Sequence, residues 1–537
     1  MVHVQVVSIL PLASKAPQAV STSPKRERGL AMNSLLDRYR DKIRGVISCY
    51  DRVIIRGTLP GLCYAGGMTS YLNAHKIRIF DYPRWAEPLR DEIKANTEKI
   101  ASETGLEIEF IRKAKSFRKE DRIKEIIRER GDHPGLVHVF SAMEICDSYK
   151  PWHDKKSGQT FLKPDSGKCL HYYFYFIDEK FGLCHLRVPT WAPFRLQMYF
   201  NGHSWLANRL VREGVRFKLI DNAFTEIDDF ARAQNLSDKA NVKELHEALD
   251  RFAGLYCPVI KDLEISYHWS LSQVEYATDV VFKRQEDLHD LYSCLILTAI
   301  HAVHPDQVAT FLGRKLTSRY EGEVGNNFST RIEGTRIRHQ MGPASLKMYD
   351  KFGLILRIET TTYDVAFFKH HRMVEQRNGQ SVFKLAQLKR SIYSLEPDLM
   401  NLMAASNRRY LAFLSDLDDP TAGMKALDKI SESVCENERM FRGYNLFREE
   451  DQILFENILR GEYMISGMRN KNLRSRLKKS SQQVSYALKR LRVHGLIKRL
   501  GKTYKYYITE FGRRVAILGL KLKELYVIPT LAQSLAC

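Results

Sequence analysis

The sequence predicts an α/β (α+β) multidomain body with mixed sheets, followed by a small and strongly basic C-terminal module. Three observations carry this expectation. Strand-like runs alternate with runs of helical spacing from residue 32 to about residue 380. The chain has 537 residues, 44% of them hydrophobic, which is enough for several packed cores. Its charge is unevenly placed: the formal total is +21, and residues 468–514 hold fifteen basic residues against one acidic residue. Such a stretch favours a polyanionic partner, nucleic acid first. No apolar run of about 18 residues occurs, so neither a membrane span nor a membrane partner is expected.

Taken in order, residues 1–31 read as a disordered leader or as an upstream extension of a chain that starts at Met32, where an amphipathic helix opens. Residues 32–150 form an N-terminal α/β region. Its strands are expected around Arg52-Val53-Ile54-Ile55-Arg56-Gly57, at 106–111 and at 136–140, and its helices at 84–104 and 119–130. Residues 151–383 form a central mixed α/β region. It begins with a polar, turn-rich loop (151–168), then strands at 171–177, 183–188 and 195–200, a helix at 204–213 and a strand at 215–220. Helices follow within 228–255 and 285–312, loop and irregular strand over 320–340, and strands over 345–362. Residues 384–447 read as a helical connector, and 448–537 as a separate DNA-binding domain. Nine cysteines, none in a C-x-x-C pair, argue against a zinc ribbon and against a secreted disulfide framework. They suit buried thiols in a reducing, bacterial-type cytoplasm, and the basic end suits association with the nucleoid. No G-x-x-x-x-G-K-[ST] loop occurs, so an ATP-driven motor is not expected.

The C-terminal order is helix (451–460), helix (470–477), turn (478–480), helix (482–494), two strands and a last helix from Glu510. On the third helix Val484, Ala487, Leu488 and Leu491 share an apolar face. Gln482, Tyr486 and Lys489 occupy the opposite face, flanked by Ser485 and Arg490. The run Val484-Ser485-Tyr486-Ala487-Leu488-Lys489-Arg490-Leu491, with Tyr506-Tyr507-Ile508-Thr509-Glu510-Phe511-Gly512 after it, resembles the winged helix-turn-helix modules of bacterial transcription regulators. That resemblance implies a third helix in the major groove of double-stranded DNA. Arg469, Lys471, Arg474 and Arg476 before the helix, and Lys502, Tyr504 and Lys505 on the wing, would then meet phosphates. A homodimer is a further expectation. The same residues also suit a packing domain with a solvated basic face, or a protein-binding module.

Residues 345–360 can be read by register. Leu346 and Met348 alternate with Lys347 and Tyr349, and Leu356 and Ile358 alternate with Arg357 and Glu359. Burying both apolar pairs on one face requires an odd turn, which Phe352-Gly353-Leu354 supplies. Lys347 then faces Glu359, and Tyr349 faces Arg357. A tyrosine nucleophile, a carboxylate that can hold Mg²⁺ or Mn²⁺ (Glu359), and two cations are the groups that attack a phosphodiester. The stretch resembles the K-x-Y-x-K and L-R-x-E strands of rolling-circle replication initiators, which implies strand nicking through a phosphotyrosine. No His-hydrophobe-His strand accompanies it. An ordinary hairpin with a cross-strand Lys–Glu pair, needing no cofactor, reads equally from these residues.

A second arrangement lies in residues 171–221, whose β-β-β-α-β order is similar to the opening of the RNase H-like fold of cut-and-paste transposases. That similarity implies paired metal-binding carboxylates at Asp178 and Asp221, with the later glutamate open among Glu264, Glu275, Glu323 and Glu359. Asp178 also suits a structural turn. The functional expectation is a sequence-directed DNA-binding protein of a mobile element, a replication initiator-like nickase or a transposase, acting on double-stranded and also single-stranded DNA. Its alternative is a transcriptional regulator whose large body senses a ligand or oligomerises without catalysis.

Overall fold

The computed structural model describes residues 35–528 and 531, apart from 113–116, 240, 317–319, 321, 332–333, 377–378, 419, 461, 464–466 and 502. The 1–31 segment and Lys502 lie outside the described residues. The chain divides into two units, Met1–Asp418 and Asp419–Cys537.

The first unit is mixed α/β around one large sheet. Its strands in chain order are β1 (Ile43–Thr58), β2 (Ile108–Phe110), β3 (Gly135–His153), β4 (Thr160–Asp178), β5 (Gly182–Pro189) and β6 (Leu196–Asn201). A hairpin of β7 (Phe217–Ile220) and β8 (Ala223–Ile227) follows, then β9 (His268–Phe282), β10 (Val324–Arg331), β11 (Gly334–Met341), β12 (Ala344–Lys351) and β13 (Ile355–Thr362). The large sheet runs β10-β11-β12-β13-β9-β1-β6-β5-β4-β3-β2. Its neighbours are antiparallel except β2 beside β3, which are parallel.

One face of this sheet is the core. Val53, Ile55, Phe174, Leu186 and Val188 are buried beneath helices Tyr82–Glu103 and Val242–Tyr256. Val280, Leu346, Met348, Leu356 and Ile358 are buried beneath helices Gln285–Ala302 and Met400–Asp418. Each fully buried side chain of this size contributes roughly 1.5–3 kcal/mol. The other face is polar at its centre, and β1 shows why. Ile47 and Cys49 pack on this second face, against helix Gly202–Arg212, whereas Val53 and Ile55 pack on the first. Strict alternation would keep all four together. The register against β9 shifts between Tyr50 and Val53, and such a bulge re-aims neighbouring side chains. Asp51 and Arg52, adjacent in sequence, therefore both stand on the second face.

Helix Gly202–Arg212 is fixed by its first residues. The Asn201 side chain accepts from the His203 and Ser204 amides as N-cap. A Cβ at residue 202 would collide with the Tyr50 carbonyl, so only glycine lets the helix start directly against β1.

Four segments differ from the sequence expectation. In the 384–447 segment, expected as a helical connector, helices Met400–Asp418 and Pro420–Ser431 lie between a strand that ends at Gln387 and the strands Val434–Glu436 and Arg439–Phe441, and the two units divide within it. Residues 320–340 contribute β10 and β11 at the sheet edge, because the polar residues there pair in ladders and bury His339 between Asn326 and Tyr410. The expected loop at 151–168 shrinks to 154–159, since β3 and β4 stay paired out to His153 and Thr160. β7 does follow the β-β-β-α order, but it pairs with β8 in a separate two-stranded sheet, so the likeness to the RNase H-like order stops before its fourth strand.

The second unit has helices Glu449–Ile458, Asn470–Leu477 and Ser481–Val493, strands β18 (Ile497–Arg499) and β19 (Tyr506–Ile508), and helix Glu510–Leu522. Two hairpins precede it in chain order, β14–β15 (Lys369–Glu375, Ser381–Gln387) in the first unit and β16–β17 (Val434–Glu436, Arg439–Phe441) in the second. Ser480 caps the third of these helices in a capping box with Gln483. Val484, Leu488 and Leu491 are buried with Leu473, Phe455 and Val515, and Ala487 packs at their edge. Among the described residues no helix is long and apolar enough to cross a membrane.

Candidate functional site

The β12–β13 hairpin has the register that parity requires: Lys347 opposite Glu359, Tyr349 opposite Arg357. Residues 352–354 make the turn, with Phe352 (φ 60°) and Gly353 (φ 68°) in the left-handed region. Lys347 Nζ lies 2.5 Å from Glu359 Oε1, and the Tyr349 hydroxyl donates to Glu359 Oε2 at 2.7 Å. Tyr349 is held in this bond. Burial, and then the adjacent Glu359 charge, push its hydroxyl well above the ordinary tyrosine range.

Arg357 is fully buried. Its Nε and Nη2 donate to the two oxygens of Asp279 at 2.6 and 2.7 Å, and Nη2 also donates to the Asn222 carbonyl at 2.6 Å. Burial pushes the Asp279 carboxyl upward, but Arg357 and His203 together outweigh it and hold the group below its ordinary value. The His203 ring stands between Asp51 Oδ1 (3.1 Å) and Asp279 Oδ2 (3.7 Å). Arg357 is thus a pillar under the site.

Strands β9 and β1 bring further acids to the same face. One carboxylate oxygen each from Asp51, Glu275 and Glu359 lie within 4.8 Å of one another, and all three residues are buried. Ligands about 2.1–2.4 Å from a single ion span at most about 4.8 Å across it, so this all-oxygen set suits a hard dication such as Mg²⁺ or Mn²⁺. Asp51 accepts from Asn222 and Asn201 at 2.5 and 3.3 Å. Burial raises Asp51, and Arg357 and His203 reverse that, leaving it well below the ordinary aspartate range. Glu275 moves the other way: burial and then Glu359 raise it, with Lys347 (3.5 Å) and Arg52 (3.8 Å) offsetting part of the rise. Lys351 donates to Asn222 Oδ1. Burial, with Arg357 nearby, pushes its ammonium down to about 8.

Beside the triad opens a cleft of about 780 Å³ over β1, β4, β5 and β6, lined by Arg52, Lys119, Tyr175, His185, Tyr199 and Asn222 among others. Sequence reasoning did not single out Asp51, Asp279 or His203. An aspartate inside the β-branched run before Val53-Ile54-Ile55 was the available signal.

The alternative acids are not brought together. Asp178 closes the β4–β5 turn, accepting from the Lys180 and Phe181 amides, and pairs with Arg251 at 2.8 Å. Asp221, at φ 50° in the β7–β8 turn, pairs with Lys124 at 2.9 Å and lines the cleft, whereas Asp178 lines a different depression. The turn accounts for Asp178.

In the second unit Arg469, Lys471, Arg474, Gln482, Ser485 and Tyr504 are exposed and Lys505 is half-buried. Arg476 pairs with Glu462 at 2.9 Å, Ser485 accepts from Asn470, and Tyr486 stacks on Phe441 with ring centroids 5.6 Å apart. Lys489 pairs with Glu436. Arg490, expected at the DNA, is instead buried. It binds Asp451 at 2.7 Å, donates to the Arg442 and Gly443 carbonyls, and packs on the Tyr444 ring. Its helix turns it inward beside Val484 and Leu488, so it belongs to the interior of the unit.

No protein-family model matches the chain, and no curated protein matches its sequence.

Proposed function

We propose that the protein is a metal-dependent DNA strand-processing protein, nicking or transferring strands from its first unit, whose second unit is a winged helix-turn-helix that reads duplex DNA. One observation carries the proposal: Asp51, Glu275 and Glu359 converge from three adjacent strands beside a cleft rich in cations and aromatic rings. A divalent cation held by these oxygens would polarise a phosphodiester and supply a nucleophilic water. The chain's own residues prepare that chemistry. Tyr349 keeps its proton and orients Glu359, and Lys347 sets positive charge beside Glu359 and Glu275. Lys351 Nζ, with its pKa near 8, can exchange a proton near neutral pH and is linked to Asp51 through Asn222. In this reading Tyr349 is a positioning residue, where the rolling-circle likeness made it the nucleophile.

The winged-helix reading of the second unit is supported by the helix–helix–helix–hairpin order and the cations at 469–479. Its duplex face comprises Lys471, Arg474, Lys478, Lys479 and Gln482, and omits Arg490. A second reading, a DNA-binding regulator with an inert body, is favoured by one observation: Lys347 and Arg52 already neutralise much of the triad's charge.

The test is a supercoiled plasmid carrying the protein's own coding region and its flanks, incubated with full-length protein and Mn²⁺ or Mg²⁺. Relaxed or linear DNA that disappears with EDTA and with Glu359→Gln is the expected result. Bound but intact plasmid in both metals would leave the regulator reading standing.

A further inference from the structure

Resting on that reading, we infer that the cleft beside the triad binds unpaired nucleotides, so that the strand presented to the carboxylates is single-stranded DNA. The floor of the cleft is a ladder of rings set by strand register. His185 on β5 lies opposite Tyr175 on β4 and Tyr199 on β6. Ring centroids are 4.8 Å apart for Tyr175–His185 and 4.9 Å for His185–Tyr199, the latter pair nearly parallel at 15°. Burial, with Lys119 and Arg52 nearby, pushes the His185 imidazole down to about 3, so near neutral pH it is an uncharged ring between the two tyrosines.

Cations frame the ladder. The Arg52 guanidinium lies 5.6 Å from the Tyr199 ring, and Lys119 Nζ lies over the Tyr173 ring at 3.3 Å. Arg187 is already held by Glu144 at 2.7 Å and Arg52 reaches Glu275 at 3.8 Å, which leaves Lys119 to meet a phosphate. Rings with flanking cations are how proteins hold unpaired bases and their backbone, each stacked base contributing about 1–3 kcal/mol.

A second observation points to a ligand. The Tyr175 hydroxyl is buried, with the residue 3% exposed, yet it has no hydrogen-bond partner. A buried donor without a partner is uncommon and costly, and a base edge could satisfy this one. At about 780 Å³ the cleft is within the size range of sites for molecules as large as a nucleotide. Its far end shares Arg187 and Gln197 with a smaller depression lined by Arg56, Trp191 and Arg195, which continues the track. Its near end shares Asn201 and Asn222 with Asp51, and Arg52 with Glu275. A strand lying along the rings thus reaches the carboxylates. In a duplex the base faces are covered by neighbouring pairs and cannot stack on this floor.

The probe is a fluorescein-labelled oligothymidylate carrying one 2-aminopurine, titrated with full-length protein in EDTA, with its duplex and its RNA counterpart alongside. Wild-type protein should bind the single strand and quench 2-aminopurine. Tyr199→Leu should weaken single-strand binding roughly tenfold, lose the quenching and keep duplex binding. If Tyr199→Leu fails to fold by circular dichroism, Lys119→Ala takes its place, with a severalfold loss expected. Unchanged single-strand affinity in the folded variant overturns the inference, and so does an equal, Tyr199-dependent affinity for RNA. The two proposals separate cleanly: ring-dependent binding without any cleavage removes the catalytic reading alone. Glu359-dependent cleavage with unaltered binding by Tyr199→Leu removes this one alone.

Discussion

The two units handle charge in opposite ways. In the first, the charged residues that matter are under cover on one sheet face: Arg357 pairs with Asp279 and Asp51, and Lys347 with Glu275 and Glu359, the four acids and the arginine all being buried. In the second, Arg469, Lys471, Arg474, Lys478 and Lys479 stand in solvent, and the deeply buried Arg490 is locked to Asp451. Charge density therefore marks the surface proposed to meet DNA, but it does not find the acidic triad. The triad lies where opposite charges cancel in the total and nothing stands out in composition.

The largest effects should come from breaking the buried side of this contrast. Glu359→Gln replaces a proposed carboxylate ligand with a neutral amide and should lower metal-dependent cleavage by on the order of a hundredfold or more, scored as relaxed plasmid over time. Tyr349→Phe takes away only the bond that orients Glu359. It should cost about ten- to a hundredfold, with no covalent protein–DNA adduct in either protein; an adduct that vanishes in this variant would restore the tyrosine as nucleophile.

Next come the two buried arginines, which test whether they are equivalent pillars. Arg357→Met leaves Asp279 uncompensated and Arg490→Met leaves Asp451 uncompensated, so each should destabilise its own unit by about 3–5 kcal/mol in urea unfolding. A neutral Arg490→Met with weakened DNA binding would return that residue to the interface.

Acid should act on the first unit more than on the second. Burial holds His339 at about 4, and burial with Arg187 holds His171 at about 4, against 6.5 for a free ring. The unfolded chain therefore binds more protons between those values, and stability falls as pH drops from about 6.5 to about 4. The slope is up to about 1.4 kcal/mol per pH unit for each ring. Urea midpoints that stay flat across that window would contradict the burial of both rings.

The smallest effect lies on the open side. Lys471→Ala or Arg474→Ala should leave stability within about 0.5 kcal/mol while lowering the slope of log affinity for duplex DNA against log salt by about one each. An unchanged slope would move the duplex face elsewhere.

How much of this was legible in the sequence depended on the range of the interactions. The β12–β13 pairing was legible because parity and a three-residue turn are local, and the same holds for the apolar stripe of Val484, Leu488 and Leu491. Asp51 was not, because its place beside Glu275 and Glu359 depends on a bulge against β9, more than two hundred residues away. Arg490 was misplaced because helical spacing ranks residues by one face, whereas Asp451 and the Arg442 and Gly443 carbonyls, 39 to 48 residues earlier, draw it inward. The order β-β-β-α-β was legible too, but the sheet to which β7 belongs was not, since strand partners are chosen in space.

Asp51, Glu275 and Glu359 are proposed to hold one divalent cation. Mn²⁺ titration of the full-length protein, followed by electron paramagnetic resonance of the free ion, tests it most directly. The account predicts uptake of one Mn²⁺ by the wild type that is lost in Asp51→Asn and in Glu359→Gln, with folding verified by circular dichroism. Uptake that is the same in all three proteins, or absent in the wild type, would contradict it.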